Sequence, residues 1–243
     1  MSESCLVTKL QHYATLSEDE RALVLRLEED EVSHARSADI YLPGQDRTYL
    51  HAVKSGWLYS YVTMPDGRRQ IVRLHHPGDI IGLSEIAYPR AVTGLRSVES
   101  GALCPFPRTK LDAIFTQSPR LTALLFSLSH REYVMLTDLL RANSRLSARE
   151  RMAYLICDLA ARLRVTNPSM GDHLRIPLSQ SEIADHLGLT NVYVSKTITS
   201  MVQDRLVART GSGLRLLDED RLKALADYDD RHARISTDWF PDG

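Results

Sequence analysis

Ser179–Thr199 reads SQSEIADHLGLTNVYVSKTIT, and its spacing describes two short helices joined by a tight turn. Ile183, Leu187, Leu189, Val194 and Ile198 supply the buried side, Ala184 is small enough for two helices to cross closely, and Gly188 stands where the turn needs a positive φ. Asn191, Val192, Ser195 and Lys196 are left on the outer face of the second helix. An amphipathic helix pair inside an all-α core would show the same pattern, so the flanking sequence decides. Downstream, Arg205–Asp218 (RLVARTGSGLRLLD) is two short apolar runs around Gly211-Ser212-Gly213, the signature of a β-hairpin. Upstream, Ala148–Arg164 places Met152, Leu155, Ile156, Leu159 and Leu163 at helical spacing, which supplies a third helix. Helix, helix-turn-helix and hairpin in that order make a winged helix, a DNA-reading module. Asn143–Leu217 carries ten Lys/Arg against six Asp/Glu, whereas the segment from Asp218 onward carries four against eight. Positive charge therefore gathers where DNA would lie.

The first half of the chain has a different texture. From Ala38 to Pro107, β-rich runs (ADIYL, TYLHAV, WLYSYVTM, RQIVRLHH) are cut by Pro43-Gly44, Ser55-Gly56, Pro65-Asp66-Gly67 and Pro77-Gly78-Asp79. Such punctuation predicts antiparallel strands closed into a small barrel or sandwich, with Met64–Arg68 as the clearest hairpin turn. Ser17–Glu31 reads as a charged helix opened by a Ser17/Glu20 capping box, its acidic cluster a solvated face. Between the halves, Leu121, Leu125, Leu128, Glu132, Met135, Leu139, Ala142 and Leu146 alternate in steps of four and three behind the helix-starting Ser118-Pro119. A heptad seam of this length predicts pairing with a second helix, as in a homodimer. Leu124, Tyr133, Leu136 and Leu140 add further apolar positions, as expected if the helix also packs on its own barrel. Glu132, the polar member of the seam, would set register or reach a ligand at the dimer axis.

Whole-chain features exclude several classes. With 243 residues, 43% hydrophobic content and a formal charge of −1, the chain can fill two cores and is neither a disordered tail nor a basic nucleic-acid coat. The start, MSESCLVTKL, has no apolar leader run and no stretch suits a bilayer span, which predicts a cytoplasmic protein without membrane contact. Cys5, Cys104 and Cys157 are scattered, with no metal-cage or disulfide spacing, and the apolar surroundings of Cys104 and Cys157 argue against redox thiols. No nucleophile elbow, P-loop, dinucleotide fingerprint or metal-ligand cluster occurs, so no catalytic residue is assigned and the chain does not read as an enzyme.

The order of these features resembles the cyclic-AMP receptor protein and fumarate-nitrate reduction regulator (CRP/FNR) family of bacterial transcription factors. The resemblance covers about residues 20–217 and rests on the glycine-punctuated strands, PGDIIGL (Pro77–Leu83), PRTKLDAIF (Pro107–Phe115) and the helix-turn-helix. LTNVYVSKTI and DRLKALADYDD look most like a branch common in alphaproteobacteria. It implies an α+β architecture: an N-terminal helix and jelly-roll barrel of the cyclic-nucleotide-binding type over 1–117, and a dimerisation helix and hinge over 118–146. A winged helix over 147–217 and an acidic helix or tail over 218–243 would follow.

The resemblance further implies a homodimer on an inverted repeat in double-stranded DNA, with RNA polymerase as a potential further partner. Asn191, Val192 and Lys196 occupy the base-reading places, where the best-known members carry Arg, Glu and Arg. Asn191 can pair with adenine, Lys196 can reach guanine acceptors, and Val192 offers a thymine methyl an apolar contact, so an unusual operator is expected. Ser179, Ser181, Thr190, Ser195 and Thr199 would hold phosphates, with Arg209 or Arg215 on the wing.

On the sensing side, cyclic-nucleotide binders of the family use Gly-Glu-Leu and an Arg-Ser pair about ten residues later. Here Gly82 precedes Leu83-Ser84-Glu85 and the pair's place reads Ala91-Val92-Thr93; using Arg96-Ser97 instead would demand compensating shifts. A cyclic phosphate would thus lack its counter-charge, which disfavours cyclic AMP. A lone Cys5 argues against an iron–sulfur cluster, and His75-His76, read as exposed residues beside a turn, against haem. Glu85 and Arg90, with Tyr133 and Thr137, remain as a pocket for an unidentified small molecule between barrel and long helix, the alternative being a loop salt bridge. The competing functional class is a cyclic-nucleotide-binding or protein-interaction module without sequence-specific DNA binding.

Overall fold

The computed structural model describes residues 4–241. The chain divides into two compact units: one takes the residues up to Val62, Arg73–Tyr133 and the segment from Arg234, the other Thr63–Val72 and Val134–Ala233.

The first unit opens with two helices, α1 (Cys5–Tyr13) and α2 (Glu18–Leu25). The Ser17 hydroxyl caps α2 and Glu20 closes the capping box read from the sequence. Helix α1 has no counterpart in the sequence reading; it buries Leu6, Val7, Leu10 and Tyr13. Eight strands follow: β1 (Val32–His34), β2 (Asp39–Tyr41), β3 (Tyr49–Ser55), β4 (Leu58–Thr63), β5 (Arg69–His75), β6 (Ile80–Ile81), β7 (Gly94–Ser97) and β8 (Gly101–Pro107). They form two four-stranded sheets, ordered β1-β8-β3-β6 and β2-β7-β4-β5. First thus neighbours eighth, second seventh, third sixth and fourth fifth, the winding of a jelly roll. Val53, Leu58, Ile81, Leu95 and Leu103 meet between the sheets, with Ile40 and Tyr41 packed against them.

Helix α3 (Lys110–Gln117) leads into α4 (Pro119–Arg145), a 27-residue helix. Ser118 sets its start: its Oγ accepts from Leu121 N at 3.0 Å and donates to Glu20 Oε1 at 2.7 Å. Glu20 is accordingly buried, so the acidic cluster of α2 is not wholly a solvated face. Several positions of the expected dimer seam are occupied within the single chain. Leu121, Leu125 and Ala142 are 1%, 5% and 0% exposed within one chain, Glu132 Oε2 pairs with Arg73 Nη1 at 2.5 Å, and Leu128, Met135, Leu139 and Leu146 are half-buried. The apolar line open to solvent is Phe126, Tyr133, Leu136 and Leu140. A steps-of-four-and-three pattern has the same period whether its partner is the helix's own chain or another, so spacing alone could not assign the two faces.

The second unit contains α5 (Ala148–Thr166), β9 (His173–Arg175), α6 (Gln180–Leu187), α7 (Asn191–Gln203), β10 (Val207–Thr210), β11 (Gly213–Leu216) and α8 (Glu219–Ala226). Helix α5 starts at a Ser147/Glu150 capping box and buries residues on most of its circumference, Met152 to Ala160 among them. Helix α8 packs on α5, with Leu222 and Ala226 fully buried. Arg164 grips Glu219 through two bonds of 2.7 and 2.8 Å, which pulls the Glu219 carboxyl down to about 2. Among the described residues, no helix is long and apolar enough to cross a membrane and no cluster of metal ligands occurs.

Candidate nucleic-acid interface

Three local devices build the reading head. The Ser179 hydroxyl caps α6 by accepting from Glu182 N at 3.2 Å, while Glu182 Oε2 accepts from Ser179 N at 2.8 Å. Gly188 ends α6 in the left-handed region, φ 62°, where a side chain would be strained. Thr190 then caps α7 through Tyr193 N at 3.4 Å. Val194, Thr197, Ile198 and Met201 hold α7 in the core, leaving Val192, Lys196, Thr199 and Gln203 outward at steps of four, three and four. Asn191 is exposed in the first turn and Ser195 half-buried on the flank. Arg149 on α5 fixes the far end of α7 through Asp204 at 2.5 Å and Ser200 Oγ at 2.8 Å.

The wing is a three-stranded sheet, ordered β10-β11-β9, rather than the two-stranded hairpin read from the sequence. The hairpin itself pairs Val207 with Leu216 and Thr210 with Gly213. Strand β9 escaped notice because three residues carry too little alternation to register. Arg209 Nη2 donates to Thr199 Oγ1 at 3.1 Å, which joins wing and α7 on one surface; Thr199 in turn donates to Ser195 O at 2.9 Å. Arg215 is instead held by Asp172 at 2.7 Å, and that bond keeps the Asp172 carboxyl below its usual range. Ser179, Ser181 and Thr190 stand exposed where two helix N-termini present backbone N–H groups, a setting that favours anions. Exposed Tyr193 and Arg175 share this unit and were not singled out by sequence. Tyr193 flanks the outward line of α7, which its position one residue before buried Val194 could have indicated.

Of the four residues expected to form an effector pocket, Glu85 and Arg90 are each engaged by another side chain. Glu85 Oε2 accepts from Arg47 Nη1 at 2.7 Å and from Val92 N at 3.2 Å, and its Oε1 accepts from Thr93 Oγ1 at 2.7 Å. Arg90 pairs on the surface with Asp46, Tyr133 is 72% exposed, and Thr137 belongs to the other unit. The sequence reading missed Arg47, 38 residues from its partner and 7% exposed. Its guanidinium lies over Gly82, whose φ of +107° and missing Cβ leave the room: a Cβ there would fall 1.7 Å from Nη2.

Between barrel and α4, the hollow lined by Leu10, Arg73, Leu83, Leu128 and Glu132 holds about 30 Å³. A larger open hollow of about 520 Å³ is lined by Tyr41, Arg47, Tyr49 and His51, among others. Burial, then nearby Arg47, pushes the His51 ring down to about 4.

His75 and His76, expected to be exposed, are 3% and 4% exposed: the His75 Nε2 and Ser60 Oγ lie 2.7 Å apart, and His76 meets Trp57 edge-on at 4.2 Å. Burial raises the Cys104 thiol to about 11 and the Cys157 thiol to about 12, so both stay protonated at neutral pH.

Comparison with known proteins supplies names for both halves. The family model described as the cyclic nucleotide-binding domain matches residues 31–118, and that of the Crp-like helix-turn-helix domain matches residues 150–225. The transcriptional activator protein anr of Pseudomonas aeruginosa is 31% identical over 177 residues, 73% of this chain and 72% of that protein. The nitrogen fixation regulation protein FixK of Bradyrhizobium diazoefficiens is 30% identical over 199 residues, 79% of this chain and 81% of that one. The solved structure of FixK2 from Bradyrhizobium japonicum superposes with a TM-score of 0.72 at 25% identity, covering 80% of this chain and 96% of that chain. A mutant of CooA from Carboxydothermus hydrogenoformans gives 0.67 at 19% identity over 93% and 97%, a likeness of fold.

Proposed function

Because the chain belongs to the CRP/FNR family of DNA-binding transcription regulators, we propose that it works as a cytoplasmic homodimer gripping an inverted-repeat operator. The observation that carries this reading is one continuous surface: the outward line Val192, Lys196 and Thr199 on α7, with two exposed helix N-termini beside it and Arg209 bonded to Thr199. Asn191 and Lys196 offer hydrogen bonds to adenine and guanine edges, Val192 an apolar contact to a thymine methyl, and the hydroxyls and Arg209 hold phosphates. The dimer face we assign is Phe126, Tyr133, Leu136 and Leu140, four large apolar side chains exposed along one helix. Full burial of such a side chain stabilises by about 1.5–3 kcal/mol, which favours pairing along this face. Two-fold pairing would set the reading helices about 34 Å apart, one turn of DNA. RNA polymerase is the further partner we assign, in keeping with relatives named as transcriptional activators.

For the signal, we propose that cyclic AMP is not the effector. Arg47 and Glu85 already neutralise each other beside Gly82, and the hollow against α4 has room for about one or two waters rather than a nucleotide. Ligand control of this unit would fall to the open hollow beside Tyr41, Tyr49 and His51, whose volume suits a small molecule.

Titration of the full-length protein with duplex DNA at rising salt tests the reading. A protein that neutralises several phosphates loses affinity steeply, by roughly 10³ or more between 50 and 200 mM salt when about six are contacted. Salt-independent or absent binding, or a monomer in sedimentation at the concentrations where DNA is bound, would overturn it.

A further inference from the structure

Strands β4 and β5 form a hairpin whose tip, Thr63–Val72, belongs to the second unit. The turn is closed by Met64 N donating to Arg68 O at 2.7 Å and Gly67 N to Met64 O at 2.9 Å. Immediately after it, three successive residues are engaged with the last turn of α6. Arg69 donates from Nε and Nη2 to Asp185 Oδ2, at 2.9 and 2.7 Å. Gln70 Nε2 donates to His186 O at 3.2 Å, and the buried His186 ring donates from Nδ1 to Ile71 O at 3.0 Å. Asn143 on α4 reaches the same His186 carbonyl at 3.3 Å, and Arg151 on α5 reaches Leu187 O at 3.1 Å.

The final carbonyls of a helix lack partners within it, so outside donors are expected in general. Here α6 already has an internal closure, because Gly188 N and Leu189 N both reach Ala184 O. The Arg69–Asp185 pair, two donors on one carboxylate oxygen, and the buried His186–Ile71 bond are additional. They hold the end of α6 that passes directly into the turn and α7, yet leave Asn191, Val192 and Lys196 exposed. The contact therefore orients the reading helix and does not cover it.

We infer that the β4–β5 tip is a positioning strap for the reading head: Arg69 acting through Asp185, and Ile71 through His186, fix α6 and with it the angle at which α7 meets DNA. The strap rests on the DNA-binding reading for its consequence but not for its existence.

The test uses full-length Arg69→Ala, the charge-exchanged Arg69→Asp/Asp185→Arg pair, and a duplex selected from a random pool by the unaltered protein. Arg69→Ala should weaken DNA binding about five- to tenfold, with the thermal midpoint within a few degrees of the parent. Amide hydrogen exchange over 183–187 should speed up in the same variant without DNA, and the exchanged pair should recover both readouts. Unchanged affinity and unchanged amide exchange in Arg69→Ala would overturn the strap, as would an exchanged pair that restores protection but not affinity. Failure of the parent protein to bind any duplex would instead defeat the DNA-binding reading, while the amide exchange would still decide whether the strap exists.

Discussion

The barrel and the reading head use polar side chains in opposite ways. In the barrel and the helices packed on it, several charged groups are matched out of solvent: Arg47 with Glu85, Arg73 with Glu132 on α4 and Lys9 on α1 with Asp79, every one of these side chains 15% exposed or less. On α7, Asn191, Val192, Lys196 and Thr199 are all exposed, and the buried positions are filled mainly by Val194, Ile198 and Met201. A matched buried pair fixes one shape because either member left alone is costly, whereas exposed donors keep their hydrogen-bonding capacity for a partner. The contrast separates residues that hold the fold from those we propose read DNA, and substitutions should separate them too.

The largest effect should come from breaking a barrel pair. Arg47→Met leaves Glu85 uncompensated and should cost about 3–5 kcal/mol in denaturant unfolding. Adding Glu85→Leu should restore much of it, which a purely steric role for Arg47 would not allow. Next in size is the proposed dimer face. Leu140→Glu should weaken dimerisation by about 1.5–3 kcal/mol in sedimentation equilibrium, the worth of one buried leucine. At 68% exposure in the single chain, Leu140 should leave the fold itself within about 0.5 kcal/mol. Ala142→Glu, on the inward face, should do the reverse and unfold the chain before it dissociates the dimer.

Lys196→Ala should cost about 1–3 kcal/mol in DNA affinity, concentrated at one base position per half-site, with stability unchanged. The smallest effect is at acid pH. The Glu219 carboxyl titrates near 2 in the fold because Arg164, then Lys223, hold it ionised. Its contribution is present above the unfolded value of about 4.5 and is lost as the pH falls towards 2. Since the pair is partly solvent-screened, Glu219→Gln should remove less than about 1 kcal/mol of acid-dependent stability, read from midpoints at pH 5 and pH 3.

How far the sequence could be read depends on the distance over which each feature acts. The capping box at Ser17/Glu20, the left-handed Gly188 and the outward line on α7 follow from neighbours within four residues; the boxes at Ser147/Glu150 and Ser179/Glu182 carry the same local signal and were not singled out. Strands β2 to β5 and the turn at Met64–Arg68 were equally legible for the same reason, whereas β1, β6 and β7, two to four residues long, were not read. The interior of the barrel was not, because its partners meet only after folding: Arg47 finds Glu85 across 38 residues and His75 finds Ser60 across 15. The buried histidines and the engagement of Glu85 by Arg47 are consequences. On α4, period fixes which residues align and not what they face, so the burial of Leu121, Leu125 and Ala142 within the chain was not legible. Helix α1 and strand β9, nine and three residues long, gave no strong pattern.

The central claim is that two copies of this chain read an inverted repeat through α7. Selection of bound duplexes from a random pool, run in parallel with the full-length protein and Asn191→Ala, tests it most directly. The account predicts two mirrored half-sites centred about 10–10.5 base pairs apart, with the variant losing its preference at one adenine in each half. Enriched duplexes without a repeated half-site, or identical preferences for the two proteins, would contradict it.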